Sequence, residues 1–507
     1  MPENFGQHSD RGSPSLSLSR RELLGVAGAS TALLLSNGNA LAQTADARPL
    51  VFKDTSVFTG GAMRHGFALA VVGDRIAAIG ASDDVLAKFP NAEIYDGRGK
   101  ALLPGLINCH AHMAATIARG FNEDYGFPNS SNLAVWPRSL LKGDEKALMV
   151  AIAALEAIKT GTTSIVENTS GIGDYAETLA ASGLRCMFAE SARDAENVAG
   201  PMSPEGLAAS EPPRFSPALR EAGMQRIADL HSRWHGAGEG RISVFPAAAL
   251  AEMCSPELLA DVREFAEKNG LGYTIHLSQS RPEIEFMLRY HGMTPPAYLA
   301  RHGFLGPRLF AAHCRYVDEA DIALLGGSRT IISHQAGMAA NRGVIPPIPA
   351  LRAAGCPIAN GTDNNTNDMF SVMRTALLTE RIRREDERPG IYPQPEDILE
   401  DATKGGAKAF RQEDSIGSLD VGKKADLIVL DTQKAHLVPA GRIVSAWIHN
   451  GQPSDIESSM VDGRFLMRDH KVLTMDETAL IAEVDRVGTR IWDAVRAAGP
   501  VPIPGRP

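Results

Sequence analysis

The feature that most constrains the fold is a repeated unit, in which a short apolar run precedes a helix-like segment. The runs are continuous rather than alternating, as expected for parallel strands that are buried on both faces. Eight strands alternating with helices predict a (β/α)8 barrel, although a doubly wound open sheet uses the same units. The eight runs are ALLPGLINCHAHM, GTTSIVENTS, LRCMFAESARD, RISVFPAAAL, GYTIHLSQS, RLFAAHCRY, RTIISHQAG and CPIANGTDNN.

The segments on either side of these units have a different pattern. Residues 48–100 and 413–475 carry short strands and Gly-Asp turns, without room for crossover helices. We expect both flanks to pair into one composite β-sandwich beside a barrel of residues 101–412. Residues 476–507 begin with apolar residues at helical spacing, which predicts a helix and tail on the outside of the barrel.

The first 42 residues have the three parts of a twin-arginine export signal. Arg20 and Arg21 precede a short apolar run from Leu23 to Leu35, and an Ala-x-Ala sequence ends at Ala42. A disordered basic tail would explain the arginines, but not all three parts in this order. The run is too short to span a bilayer, which needs about 20 apolar residues. We therefore expect the twin-arginine machinery to export the chain to the periplasm or the exterior.

Composition restricts the class of partner. The chain has 507 residues, 44% of them hydrophobic, and a net charge of -9, so it lacks the overall excess of positive charge that neutralises phosphates. Nucleic acid is therefore not expected as a partner, whereas a small-molecule substrate is expected. A homodimer is a possible assembly, because dimers are the commonest one.

Four histidines and one aspartate stand where predicted strands end. In a barrel, the carboxyl ends of all the strands meet at the face that carries active sites. Imidazoles and a carboxylate together suit a divalent metal ion, with zinc favoured and iron or manganese possible. The five residues are His110, His112, His276, His313 and Asp363.

These positions, with their surrounding motifs, resemble the amidohydrolase superfamily. The similarity is greatest to its mononuclear branch, which contains cytosine deaminase and triazine hydrolases such as atrazine chlorohydrolase. The motifs include LPGLINCHAHM, GMTPPAYL, LFAAHC, GTDN and IGSLDVGKKADLIVLD. The resemblance implies that His110, His112, His276 and Asp363 are the metal ligands, and that His313 polarises the substrate oxygen. Binuclear relatives use a lysine on strand four, and RISVFPAAAL has none, so a single metal is expected.

Two positions depart from the deaminases of this branch. Gln279 stands where they carry a glutamate, three residues after the strand-five histidine. The segment SHQAGMAAN keeps His334, a candidate for substrate binding, but loses the rest of the usual motif after strand seven. The substrate preferences of those deaminases should therefore not be transferred to this chain.

The missing glutamate shifts the predicted reaction. A metal-activated water, with Asp363 moving protons, needs no acid at position 279, whereas attack on an aminated ring does, and a general acid contributes about 10²- to 10⁴-fold. We therefore expect hydrolysis of an amide, urea or carbamate in a small neutral or aromatic substrate, with Gln279 donating a hydrogen bond. The alternatives are an aminoheterocycle deaminase or a triazine-type chlorohydrolase, and an exported binding protein without catalysis.

Three further residues are candidates for contact with the substrate. Glu167 and Glu190 end two strands, with Arg193 nearby, and could replace the missing acid. The alternative is that they hold loops. Trp136 lies in a long connection, residues 114–143, that follows the first barrel strand. It could stack on a flat substrate or pack within a lid.

Overall fold

The computed structural model describes residues 48–124, 133–364, 366–384, 388, 390 and 392–501. The predicted export signal, residues 1–42, lies outside these ranges. Within them, two units are apparent: a parallel barrel and a sheet built from both flanks of the barrel sequence.

The first flank forms five strands and a helix. Positive φ angles at Gly60 and Gly61 allow the tight turn between the first two strands, a conformation that favours glycine. The elements are β1 (Leu50–Thr59), β2 (Ala62–Val72), β3 (Arg75–Ala81), α1 (Ser82–Lys88), β4 (Glu93–Asp96) and β5 (Lys100–Pro104).

The barrel consists of eight parallel strands, one from each predicted run. Each strand pairs with the next, and a bridge between Ala111 and Asp363 joins the first strand to the chain just after the last. The prediction of a (β/α)8 barrel is confirmed. The strands are β6 (Leu106–Ala111), β7 (Thr162–Thr169), β8 (Arg185–Ala192), β9 (Ile242–Leu250), β10 (Tyr273–Leu277), β11 (Leu309–His313), β12 (Ile331–His334) and β13 (Ile358–Asn360).

Helices connect the strands and cover the outside of the barrel. Several begin at a Ser, Thr or Asp that caps the first turn through its side chain. The helices are α2 (Glu145–Lys159), α3 (Ala176–Ala181), α4 (Pro204–Ala208), α5 (Pro217–Trp234), α6 (Pro256–Lys268), α7 (Arg281–His291), α8 (Pro295–Arg301), α9 (Glu319–Gly327), α10 (Ala336–Asn341), α11 (Ile348–Ala353), α12 (Met369–Arg384), α13 (Pro395–Glu400) and α14 (Gly406–Ala409). No helix in the described part of the chain is long and apolar enough to cross a bilayer.

The second flank returns to the first and completes the sheet. Strand β14 pairs antiparallel with β5, so nine strands from both flanks hydrogen-bond as one sheet around a shared apolar core. The prediction that both flanks pair into one composite β-sandwich is confirmed in that they form one β-unit, whose nine strands make a single continuous sheet. Its remaining elements are β14 (Leu427–Asp431), α15 (Ile443–Asn450), β15 (Ile456–Val461), β16 (Arg464–Arg468) and β17 (Lys471–Val472).

The boundary between sheet and barrel differs slightly from the predicted one. The run ALLPGLINCHAHM holds two strands, since β5 belongs to the sheet and β6 to the barrel. The chain crosses between them at Gly105, where an added Cβ would lie 2.1 Å from the Thr163 hydroxyl oxygen. Only glycine allows this close approach without displacing Thr163.

The last helix, α16 (Glu477–Ala498), packs against α2 on the outside of the barrel. Lys159 and Glu477 form an ion pair, as do Arg490 and Glu145. The indole of Trp492 also donates to the Ile117 carbonyl, at 2.9 Å, in the segment that follows the first barrel strand. The C-terminal helix therefore supports the loop that leaves β6.

Candidate metal centre

The structure brings all five predicted rim residues into one cluster. Potential ligand atoms of His110, His276 and His313 lie within 4.8 Å of one another, and so do those of His110, His112 and Asp363. The Nε2 atoms of His112 and His276 are 3.2 Å apart, and His112 Nε2 lies 3.5 Å from Asp363 Oδ1. Side chains from three strand ends, with His110 and His112 both at the end of β6, and from the segment after the eighth strand thus converge on one centre.

Backbone contacts between the first and last strands fix the ligand positions. Asp363, at a positive φ of 66°, donates its amide to the His110 carbonyl at 2.9 Å, and the His112 amide donates to the Asp363 carbonyl at 3.2 Å. A Cβ at Gly361 would lie 2.8 Å from the His110 nitrogen, so this approach requires glycine. A left-handed non-glycine residue such as Asp363 is held in place by the contacts around it.

The imidazoles are poised as neutral ligands. Burial lowers the pKa of all four rings, that of His276 to about 4, with the charge of His112 as a further cause for His276. The Ala249 carbonyl accepts a hydrogen bond from His276 Nδ1 at 3.0 Å. This bond places the proton on Nδ1 and leaves the Nε2 lone pair facing the cluster.

The cluster also fits a metal ion geometrically. Both ring nitrogens of His110 are buried without a hydrogen-bonding partner among the described residues, which is costly unless a ligand pairs with them. Zinc–nitrogen distances of about 2.0–2.1 Å in a tetrahedral site place two ligand nitrogens roughly 3.3 Å apart. The 3.2 Å between His112 and His276 agrees with this spacing.

His313 is positioned by Gln335, a residue that was not predicted from the sequence. Its φ is 78°, and its amide donates to Gln335 Oε1 at 2.9 Å, while Gln335 Nε2 donates to the Ser333 hydroxyl at 2.8 Å. His313 Nδ1 lies 3.8 Å from Asp363 Oδ2, on the edge of the cluster. The only sequence signal for Gln335 was its place at the end of the seventh run, beside His334.

Gln279 follows the strand that carries His276, and Gln279 is only 4% exposed to solvent. Its amide donates to Glu283 Oε2 at 2.7 Å, and its carbonyl accepts from the Arg315 guanidinium. Within the described ranges, the side-chain amide of Gln279 has no hydrogen-bonding partner. The backbone of residue 279 is thus held, while the side chain keeps its hydrogen-bonding capacity.

Glu167 and Glu190 bind loops instead of facing the cluster. Glu167 accepts from the Met113 amide at 2.9 Å and from the Tyr175 hydroxyl at 2.7 Å, and burial raises its pKa to about 7. Glu190 accepts from the amides of Gly171 and Ile172 at 2.8 and 3.0 Å. These contacts favour the alternative in which both carboxylates hold loops.

The other two candidates for substrate contact are not among the potential metal ligands of the cluster. His334 is buried, and its pKa is lowered to about 3 by burial and by the charge of Arg352 on α11. Trp136 packs edge-on against Phe121, which also contacts Trp492 of the last helix. Trp136 is therefore part of the packing of the first long loop, which agrees with the lid alternative.

A cavity of about 510 Å³ opens beside the cluster, with His112 and His276 in its wall. Its wall also carries Lys146, Arg193 and Arg226. Lys146 pairs with Asp174 and Arg226 with Glu190, whereas the only side-chain bond of Arg193 in the described part of the chain is to the Ala195 carbonyl. The cavity is large enough for a small organic substrate next to the candidate metal ligands.

Sequence comparison places this site among known hydrolases. The profile of the Amidohydrolase family matches residues 101–466. The 5-methylthioadenosine/S-adenosylhomocysteine deaminase of Desulforudis audaxviator is 31% identical over 434 residues, which cover 84% of this chain and 95% of that protein. The 5'-deoxyadenosine deaminase of Methanosarcina barkeri is 32% identical over 80% of this chain and 89% of its own length.

Solved structures share the fold. An adenosine deaminase from Xanthomonas campestris with bound zinc superposes with a TM-score of 0.77 at 24% identity, covering 88% of this chain and 98% of that one. Atrazine chlorohydrolase from Arthrobacter aurescens, in complex with zinc, gives a TM-score of 0.76 at 19% identity, covering 87% of this chain and 100% of that one.

Proposed function

Because this chain belongs to the amidohydrolase family, a family of metal-dependent hydrolases, we propose that it hydrolyses the carbon–nitrogen bond of an amide, urea or carbamate in a small aromatic substrate. The observation that carries this proposal is the neutral amide at position 279. The candidate metal cluster contains one carboxylate, Asp363, and Gln279 cannot protonate a ring nitrogen. A carbonyl substrate needs no such protonation.

His110, His112, His276 and Asp363 are the proposed ligands of one divalent ion, with zinc favoured by three imidazoles and a carboxylate. When bound, such an ion lowers the pKa of a coordinated water from 15.7 to about 7 and polarises a carbonyl. We assign to Asp363 the uptake of a proton and its delivery to the leaving nitrogen. To His313, whose Nδ1 lies 3.8 Å from Asp363 Oδ2, we assign a hydrogen bond to the substrate carbonyl.

The test is a substrate library assayed by mass spectrometry with protein loaded with zinc, iron or manganese. It contains anilides, ureas, carbamates and aminated heterocycles. We expect cleavage of a carbonyl carbon–nitrogen bond that is lost on chelation and restored by one equivalent of metal. Release of ammonia from amino-triazines or guanine, with every anilide, urea and carbamate left intact, would contradict the proposal.

An aminoheterocycle deaminase is the second candidate, and the names of the relatives favour it. Both of the curated relatives described above are deaminases, and each matches four fifths or more of this chain. In that case a group other than residue 279 must protonate the ring.

A binding protein without catalysis is the third candidate. It would be supported if the metal-free protein showed no hydrolysis after any of the three metals was added.

Export and assembly belong to the same proposal. The order of Arg20 and Arg21, the apolar run and the Ala-x-Ala sequence supports passage through the twin-arginine machinery to the periplasm or exterior. This route transports folded proteins, so a metal can be bound before export. We also propose a homodimer, on the general frequency of that assembly, which light scattering of the purified protein tests.

A further inference from the structure

Only three residues, 278–280, connect the strand of His276 to helix α7. Ser278 has a φ of 51°, a left-handed conformation that is uncommon for a residue with a side chain. The Ser280 hydroxyl accepts from the Glu283 amide at 3.2 Å and so caps the helix. A short turn with a strained residue needs strong contacts around it to persist.

Glu283 holds this turn from the helix side. An acid in the first turn of a helix is usually exposed, but Glu283 is only 1% exposed. Its Oε1 accepts from the Ser278 amide and its Oε2 from the Gln279 amide, both at 2.7 Å. A carboxylate that uses both oxygens on successive amides fixes the orientation of both peptide groups.

Arg315 holds the same turn from the opposite side. Its guanidinium donates to the Gln279 carbonyl, and the amides of Arg315 and Tyr316 donate to the Ser278 carbonyl at 3.1 and 3.0 Å. Arg315 lies two residues after His313, so these bonds join the ends of β10 and β11. Residue 279 is therefore held at its N–H by a carboxylate and at its C=O by a guanidinium.

We propose that Glu283 and Arg315 are positioning residues that aim the Gln279 side chain at the substrate. This inference rests on the proposed function, because it assigns them an effect on hydrolysis through Gln279 alone. The clamp formed by Glu283, Gln279 and Arg315 leaves the Gln279 side-chain amide without a partner among the described residues. It also ties the backbone of residue 279 to the strand ends that carry His276 and His313.

A double-mutant cycle tests whether Glu283 acts through Gln279. The variants are Gln279→Ala, Glu283→Gln and their combination, each checked for metal content and assayed on a substrate that the wild type cleaves. Glu283→Gln keeps the size of the side chain but replaces one acceptor oxygen by a donor. We expect it to lower kcat/KM at least tenfold in the wild type and less than twofold in the Gln279→Ala background. Equal losses in both backgrounds would overturn the inference.

Arg315→Lys and Asp321→Asn complete the kinetic design. Arg315→Lys keeps the charge but not the planar guanidinium, so it should show the same dependence on Gln279. Asp321 is a matched control, because it is a buried acid in the first turn of α9 that accepts from the Asp318 amide at 3.3 Å. Asp321→Asn should lower the melting temperature yet change kcat/KM by the same factor in both backgrounds.

Crystal structures give a readout that does not depend on turnover. In Glu283→Gln we expect the Gln279 side chain to shift by at least about 1 Å or to occupy more than one rotamer, while His276 stays in place. An unchanged, single rotamer would overturn the inference. If the wild type cleaves nothing in the library, the proposed function fails, whereas this structural comparison still tests the clamp.

Discussion

The substitution Gln279→Glu tests the assigned reaction most directly. It places a carboxylic acid where the related deaminases carry one, three residues after His276. The clamp holds only the backbone of residue 279, so the new side chain should occupy the same position. We expect the variant to gain release of ammonia from aminated heterocycles.

The expected gain follows from the environment of residue 279. The site is 4% exposed, so burial should raise the pKa of the new acid, while the charges of Glu283 and Arg315 on either side of residue 279 act in opposite directions. A raised pKa keeps it protonated near neutral pH, as a general acid requires. General acids contribute about 10²- to 10⁴-fold, which at 1.36 kcal/mol per decade is roughly 2.7–5.4 kcal/mol in the barrier.

The assay measures ammonia released from guanine and amino-triazines by zinc-loaded wild type and variant, with equal metal content confirmed. Gln412→Glu is the control, since Gln412 is partly buried and bonds Ser243, and it has no contact with the cluster. It should show no gain. If Gln279→Glu binds metal and melts like the wild type but releases no more ammonia, position 279 does not set the reaction type.

Three further changes have defined outcomes. His110→Ala should abolish stoichiometric metal binding and lower kcat/KM by about 10³ or more. The melting temperature of the apo protein should be nearly unchanged, because both ring nitrogens of His110 lack hydrogen-bonding partners among the described residues. Metal analysis and calorimetry check these outcomes. Burial, and then repulsion by Glu283, raises the pKa of Glu252, and burial raises the pKa of Glu283 to about 7. Above about pH 4.5 the native state therefore binds more protons than the unfolded state, so the free energy of unfolding falls as pH rises. Glu252→Gln should therefore raise the melting temperature at pH 8 more than at pH 4.5, and equal shifts at both would refute the assignment. Replacing both Arg20 and Arg21 by Lys should stop export. Cell fractionation should then find the protein, with its signal uncleaved, in the cytoplasm. Normal export of this variant would contradict a twin-arginine route.

The barrel and the metal cluster were predictable from local patterns. Continuous apolar runs indicate strands buried on both faces, and each of the eight runs contains one barrel strand. Parallel strands bring their carboxyl ends to one face, so His110, His276 and Asp363 had to meet although they are far apart in sequence. The predicted export signal also rests on a local pattern, but it lies outside the described residues and stays a prediction.

Hydrogen bonds to loop backbones were not predictable. Glu190 and Glu167 stand at strand ends like the ligands, yet their oxygens bind the amides of Gly171 and Met113. His334 ends a strand as His313 does, yet it is not part of the cluster and the charge acting on it belongs to Arg352, outside the barrel. These differences depend on the path of each loop, which residue spacing does not encode.

The sequence by itself determined the family through its motifs. It also determined the barrel and the set of metal-binding residue types, because strand periodicity is a local property and parallel strands end at one face. Only the tertiary structure decided which polar residues serve the chemistry and which serve the loops. Gln335 beneath His313, and Glu283 with Arg315 around Gln279, act through backbone groups whose directions exist only once the strands are closed into a barrel. The role proposed for Gln279 thus depends on a turn conformation that the fold as a whole maintains.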